Sequence, residues 1–175
     1  VTRFLPLLLI LLLTTTSCDS DDGPSGSAVD GRYRATSITF TQENNGTLVG
    51  TVDVLSYMAR EAGGQPTFTI DLFGRDRDYT IAYQLANDNS RSSIRGGFSS
   101  ESNNRVQLDL GDDPDADRVL LPSPLTLTSS TDREALTGAA SVTVTFDQLS
   151  KLGDRRFDGT QGTVRGRLSI ALERE

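Results

Sequence analysis

Thr67-Phe68-Thr69-Ile70-Asp71-Leu72-Phe73, then Gly74-Arg75-Asp76-Arg77-Asp78, then Tyr79-Thr80-Ile81-Ala82-Tyr83-Gln84-Leu85: this stretch decides the fold class. In the first arm Phe68, Ile70 and Leu72 fall on one face and Thr67, Thr69 and Asp71 on the other, the two-residue period of an extended strand. In the second arm Tyr79, Ile81, Tyr83 and Leu85 repeat the alternation. The charged segment between them is a turn whose alternating signs keep it soluble. The two arms read as an antiparallel hairpin.

The same pattern extends in both directions. Upstream, Gly31–Phe40 is rich in β-branched and aromatic residues and reads as a first strand, with Asn44-Asn45-Gly46 as a turn after it. Val52, Leu55, Met58, Ala59 and Ala62 recur at helical spacing before Gly63-Gly64, which predicts a short helix over 52–62, with a bulged strand as the competitor. Downstream, Ser92–Ser99 carries Gly96-Gly97, a place for a bulge or bend. Val106, Leu108 and Leu110 alternate, and a polar loop over 111–117 follows. Val119 and Leu121, then Leu125 and Leu127, flank Pro122-Ser123-Pro124. Val142, Val144 and Phe146 alternate again, and Val164, Leu168, Ile170 and Leu172 close the chain. Roughly eight or nine short strands, each with one apolar face, predict an all-β domain over 31–175: an antiparallel meander barrel with one short helix, or a sandwich.

The bulk composition excludes several function classes. The chain has 175 residues and a net charge of −7, and an acidic surface repels phosphate backbones, which argues against nucleic-acid binding. It contains one Cys, no His and no Trp. An intrachain disulfide, a His-based zinc site and a Ser-His-Asp triad therefore cannot form. No cofactor motif is present, and the chain reads as non-catalytic.

Ahead of the domain, Arg3 precedes the apolar run Phe4–Leu13, followed by Thr14-Thr15-Thr16-Ser17-Cys18 and Asp19-Ser20-Asp21-Asp22. A membrane-spanning helix needs ~20 apolar residues, whereas this run has the length of a signal-peptide core. Residues 1–17 thus read as a signal peptide and residues 18–30, rich in Asp, Ser and Gly, as a flexible acidic tether. Thr15-Thr16-Ser17-Cys18 resembles the lipobox of bacterial lipoproteins, in which cleavage precedes a Cys that receives a diacylglycerol. Asp19-Ser20-Asp21-Asp22 resembles the acidic surface-export signal of Bacteroidetes-like lipoproteins. The resemblance implies a lipid anchor at Cys18, a membrane partner, and a place in the cell envelope: the outer membrane, with exposure at the cell surface.

Within the domain, Gly31-Arg-Tyr-Arg-Ala-Thr-Ser-Ile resembles the opening strand of lipocalin-like bacterial proteins, and Arg165-Gly-Arg-Leu-Ser-Ile-Ala-Leu their closing strand. Such barrels hold small apolar ligands in the lumen, and the expected lining here is Tyr33, Phe68, Tyr79, Tyr83 and Phe146, which equally suit a plain core. The alternative is a structural or protein–protein component of an outer-membrane surface assembly, with no partner indicated. Asp113, Asp115 and Asp117 have the spacing of calcium ligands, but Arg118 and Pro124 stand where an EF-hand loop needs Gly and Glu, so a solvated loop competes with a calcium site.

Replacing Cys18 by Ala is expected to move the protein from the membrane to the soluble fraction on cell fractionation. Retention of the variant in the membrane fraction overturns the lipoprotein reading.

Overall fold

The computed structural model describes residues 29–43, 49–101 and 104–175, so the expected signal peptide, Cys18, most of the expected tether and the expected Asn44-Asn45-Gly46 turn lie outside the described residues. The strands are β1 (Gly31–Gln42), β2 (Thr51–Asp53), β3 (Thr69–Phe73), β4 (Asp78–Tyr83), β5 (Ser92–Glu101), β6 (Arg105–Leu108), β7 (Leu125–Ser129), β8 (Ala135–Thr145) and β9 (Thr163–Arg174). The helices are α1 (Pro114–Arg118) and α2 (Phe146–Leu152). Every pairing is antiparallel, in the order β1-β3-β4-β5-β6-β7-β8-β9, and β9 returns to β1. The result is a closed eight-stranded meander barrel, with β2 added beside the far end of β1. The barrel alternative is the one realised, and the sandwich is not.

The hairpin that announced the fold is β3–β4. Its apolar alternation is buried: Phe68, Ile70, Leu72, Tyr79, Ile81, Tyr83 and Leu85 all belong to the core. Closure depends on a defect in β1. Its register with β9 slips between Ala35 and Ser37, leaving Thr36 unmatched as a β-bulge. Before the bulge Tyr33 and Ala35 point inward; after it, Ile38 and Phe40 do. One extra residue changes the parity, so an apolar set that does not alternate strictly still lies on one face.

Two close approaches complete the interior. An added Cβ at Gly166 would sit 2.5 Å from the Phe40 ring, and one at Gly96 would sit 2.9 Å from the Tyr79 hydroxyl oxygen. Each glycine leaves space that a neighbouring aromatic ring fills. Gly96-Gly97 produces no bulge, because β4 and β5 stay in register from Asp78↔Gly97 to Tyr83↔Ser92.

Three local expectations are corrected. Residues 52–62 do not form a helix. β2 runs into a single 3-10 turn over Val54–Tyr57, where the Asp53 side chain accepts from the Leu55 N–H, and Met58 and Arg60 are extended enough to bridge Leu85 and Pro66. The helical spacing of Val52, Leu55 and Met58 reflects burial around that turn. Phe146 does not end a strand but starts α2, where Thr145 and Gln148 form a capping box. Val119 and Leu121 are not a strand either, since the loop before them contains α1. That helix ends in a Schellman motif: Leu121 N–H donates to Ala116 O and Leu120 N–H to Asp117 O. Leu120 takes the left-handed position, φ 62°, usually given to glycine, while its side chain is buried.

Gly166→Ala is expected to destabilise the protein by ~1–3 kcal/mol through overpacking against Phe40. Gly97→Ala, whose added methyl would meet only ordinary contact, is expected to stay within ~0.5 kcal/mol of the parent. Urea midpoints at constant slope check both.

Candidate functional site

The barrel interior gathers most of the large aromatic side chains of the wall. Tyr33, Phe68, Tyr79 and Tyr83 are brought together there, each at most 1 % exposed, with Phe68 and Tyr83 stacked at 6.3 Å. Phe146 is not with them: it stacks on Phe157 at 4.9 Å, at the start of α2. The hydroxyls of the three tyrosines reach backbone carbonyls of the segments that cover the barrel ends. Tyr79 donates to Asp109 O at 2.7 Å, Tyr83 to Asp115 O in α1 at 2.7 Å, and Tyr33 to Val29 O at 3.3 Å. Among the described residues no buried side-chain polar atom lacks a partner. These rings are therefore packed on one another and on Ile38, Ile70, Ile81, Ile94 and Leu127, with their polar tips used to fasten loops.

The acidic cluster is also accounted for by local structure. Asp113 caps α1, its Oδ1 accepting from Asp115 N–H at 2.8 Å. Asp115 lies 3.8 Å from Arg118, whose guanidinium also donates to Asp88 at 2.7 Å, and Asp117 is exposed. Asp113, Asp115 and Asp117 do not converge, and among the described residues no three acidic, His or Cys side chains are grouped to hold a metal ion. The buried carboxylate, Asp154, caps the 3-10 turn Arg155–Phe157 and pairs with Arg156, Nε to Oδ1 at 2.8 Å. Hydrogen bonding to that guanidinium holds the Asp154 carboxyl below the usual range.

The open space lies outside the barrel wall. β3 pairs with β1 over Gly31–Arg34, Ala35 N–H still donates to Phe68 O at 3.0 Å, and β2 pairs only over Thr39–Thr41, so Thr36–Ile38 have β9 as their one partner strand. A cleft of about 760 Å³ sits over that gap. Leu55 and Pro66 supply its apolar part, the exposed Thr36 and the half-buried Thr39 its hydroxyls. Its charged rim is uneven. Arg34 is neutralised by Glu175 at 2.5 Å and Glu61 at 2.9 Å, and it also donates to Pro66 O. Arg60 instead donates to Leu55 O and Gly64 O, both at 3.4 Å, and among the described residues no carboxylate pairs with it. A smaller cleft of about 540 Å³, with Tyr57, Asn87, Ser150 and Arg155 on its wall, lies beside α2.

None of the cleft residues stood out in the sequence. They come from β1, from the segment 53–66 and from the C-terminal end, and no local spacing links them. The one signal that could have found them is the broken alternation between Ala35 and Ile38, which marks the bulge. No protein-family model matches the chain, and no curated protein matches it.

Burial raises the Tyr79 and Tyr83 hydroxyls to about 12, with the Asp109 and Asp113 carboxylates adding to the effect at Tyr79. In the unfolded chain both ionise near pH ~10. Between these values the unfolded state loses protons that the folded state keeps, so stability is full below about pH 10 and falls as pH rises towards about 12. Urea titrations across this window are expected to show that fall, and Tyr83→Phe to make it shallower by about one proton. Absorbance of tyrosinate is expected to rise with unfolding rather than before it.

Proposed function

We propose that this chain is a non-catalytic binding protein of the bacterial cell envelope, held at the outer membrane through Cys18, with its ligand site in the cleft outside β1. The anchor rests on the apolar leader, the small-residue run before the single Cys and the acidic segment after it. The lipocalin-like expectation of a ligand in the lumen moves to the outer wall, because the interior positions are filled by buried side chains whose hydroxyls already have partners.

The observation that carries this reading is the cleft at the gap in the β1 wall. Its volume of about 760 Å³ is within the range of small-molecule sites. It joins an apolar patch to two arginines, Arg60 and Arg174, which donate to backbone carbonyls rather than to a carboxylate, with Asp53 and Glu173 also on the rim. That combination fits a small amphipathic ligand with an anionic head: the Arg60 guanidinium takes the anion and Leu55 and Pro66 take the apolar body. An ordered charge network of Arg34, Glu61, Glu175 and Arg91 holds one side of the cleft in place.

Decanoate is the probe. Titration followed by amide chemical shifts is expected to perturb Thr36, Leu55 and Arg60, and Arg60→Ala to weaken binding about tenfold, the worth of ~1.4 kcal/mol. Shifts confined to interior residues such as Ile70 and Leu127, or equal affinity in the variant, overturn the assignment of the cleft.

A further inference from the structure

β8 is eleven residues long, yet β7 pairs only with its Leu136 and Thr137. Thr126 and Leu127 of β7 still lie against Gly138, and beyond it β9 alone pairs with β8, in unbroken register from Ala135↔Glu173 to Thr145↔Thr163. Where the backbone groups point follows from the bonds at either end. Arg174 N–H donates to Glu134 O, and Phe146 N–H donates to Gly162 O, so even-numbered positions of this run face β9. Ser130 N–H donates to Ala135 O, so odd-numbered positions face the other way. Ser141 and Thr143 therefore direct N–H and C=O away from β9, where among the described residues no strand pairs with them. Their side chains are exposed on the outer face, while Ala140 and Val142 on the inner face are half-buried.

A free strand edge is normally guarded by charge, proline or a bulge. Ala135–Thr145 carries no charged residue, no Pro and no bulge against β9. Every other described strand longer than five residues carries charge: β1, β4, β5 and β9. In a chain of net charge −7, β8 itself sets no like charges opposite one another when two copies meet; a carboxylate beside it, Glu43, accepts from Ser141 Oγ at 3.0 Å and is paired with Arg165 at 3.2 Å.

We propose that β8 is the interface of a symmetric homodimer, in which Ala140–Val144 pairs antiparallel with the same segment of a second copy. The strand is complementary to itself in this register. Val142 meets the partner's Val142 on the two-fold axis as a non-hydrogen-bonded pair, the closer kind for side chains. Ser141 exchanges both backbone hydrogen bonds with the partner's Thr143, and Thr143 with the partner's Ser141, with hydroxyl opposite hydroxyl on the outer face. Ala140 lies opposite the partner's Val144, a small residue against a branched one. Such an isologous contact closes on itself and leaves no edge for a third copy. A single short strand pair buries less than the ~1,200 Å² of a stable interface, so the dimer is weak and dependent on concentration. It requires neither the anchor nor the cleft.

The test uses the chain from position 18 onward with Cys18→Ser, which removes its only thiol. Sedimentation over a concentration series is expected to show reversible dimerisation. Thr143→Pro deletes one outward N–H without touching the bonds to β9, and is expected to be monomeric with an unchanged far-UV spectrum. Thr143→Lys, a change at an exposed side chain, serves the same purpose should the proline disturb the fold. In the same background Val142→Cys is expected to form a disulfide-linked dimer on mild oxidation at least about tenfold faster than Thr160→Cys, because opposed residues of a non-hydrogen-bonded pair lie within disulfide reach. A parent that stays monomeric while Val142→Cys oxidises no faster than Thr160→Cys overturns the proposal. So does a dimer that survives both Thr143 variants, since its interface then lies elsewhere.

Discussion

The pairing of β1 with β9 is the constraint on which the rest of this structure depends. Both strands are twelve residues long, and their ladder runs from Tyr33↔Arg174 to Gln42↔Gly166. Without it the sheet would have two long free edges, and the apolar face of every strand would have to find cover elsewhere. Closing a barrel requires strands to tilt and coil, and the Thr36 bulge supplies local bend and twist at the seam. It also resets the parity so that Tyr33, Ala35, Ile38 and Phe40 all lie inside. The same bend takes β1 away from β3 after Ala35, and β2 with its 3-10 turn occupies only part of the space that opens. The candidate site is thus a by-product of how the barrel is closed.

Filling the interior has a second consequence. Tyrosine is an unusual choice for a sealed core, because its hydroxyl must be satisfied there. Here the phenols reach outward along the barrel axis to the chain beyond the strands. Tyr83 reaches α1, Tyr79 reaches the end of β6, and Tyr33 reaches the segment that enters β1. The ring contributes burial and the hydroxyl holds a covering segment to the end of the barrel. The interior positions are thus taken by buried side chains whose polar tips are already bonded.

Strict alternation was legible wherever a strand lies in the regular part of the wall. Phe68, Ile70 and Leu72, or Tyr79, Ile81 and Tyr83, say which residues face in, and antiparallel strands at short spacing say that the sheet closes or folds over. What failed was short-range. Val52, Leu55 and Met58 mimic a helix because one 3-10 turn brings them to the same side as the strand before it. Phe146 continues the count of β8 by two, yet the Thr145 capping box converts the next residue into helix. α1 was hidden because Asp113-Pro114-Asp115, a good helix start, also reads as an acidic loop. Of the outer cleft only the bulge leaves a trace, the broken alternation between Ala35 and Ile38, because its walls come from segments far apart in sequence.

Unequal strand lengths connect the remaining features. β8, β9 and β1 form a long arm of eleven or twelve residues each, whereas β3, β6 and β7 have four or five. A barrel built from such strands cannot be covered evenly, and each place where a long strand outruns a short neighbour needs another solution. On the β1 side the solution is β2 and the turn after it, which leave the cleft. On the inner face at the far end it is α2, whose Leu149 and Leu152 are buried. On the outer edge of β8 no element of the described chain supplies one. There the strand carries neither a charge nor a proline to keep another strand away. An edge that is long, neutral and regular differs from every guarded strand around it, and the simplest physical account of the difference is that another strand lies against it.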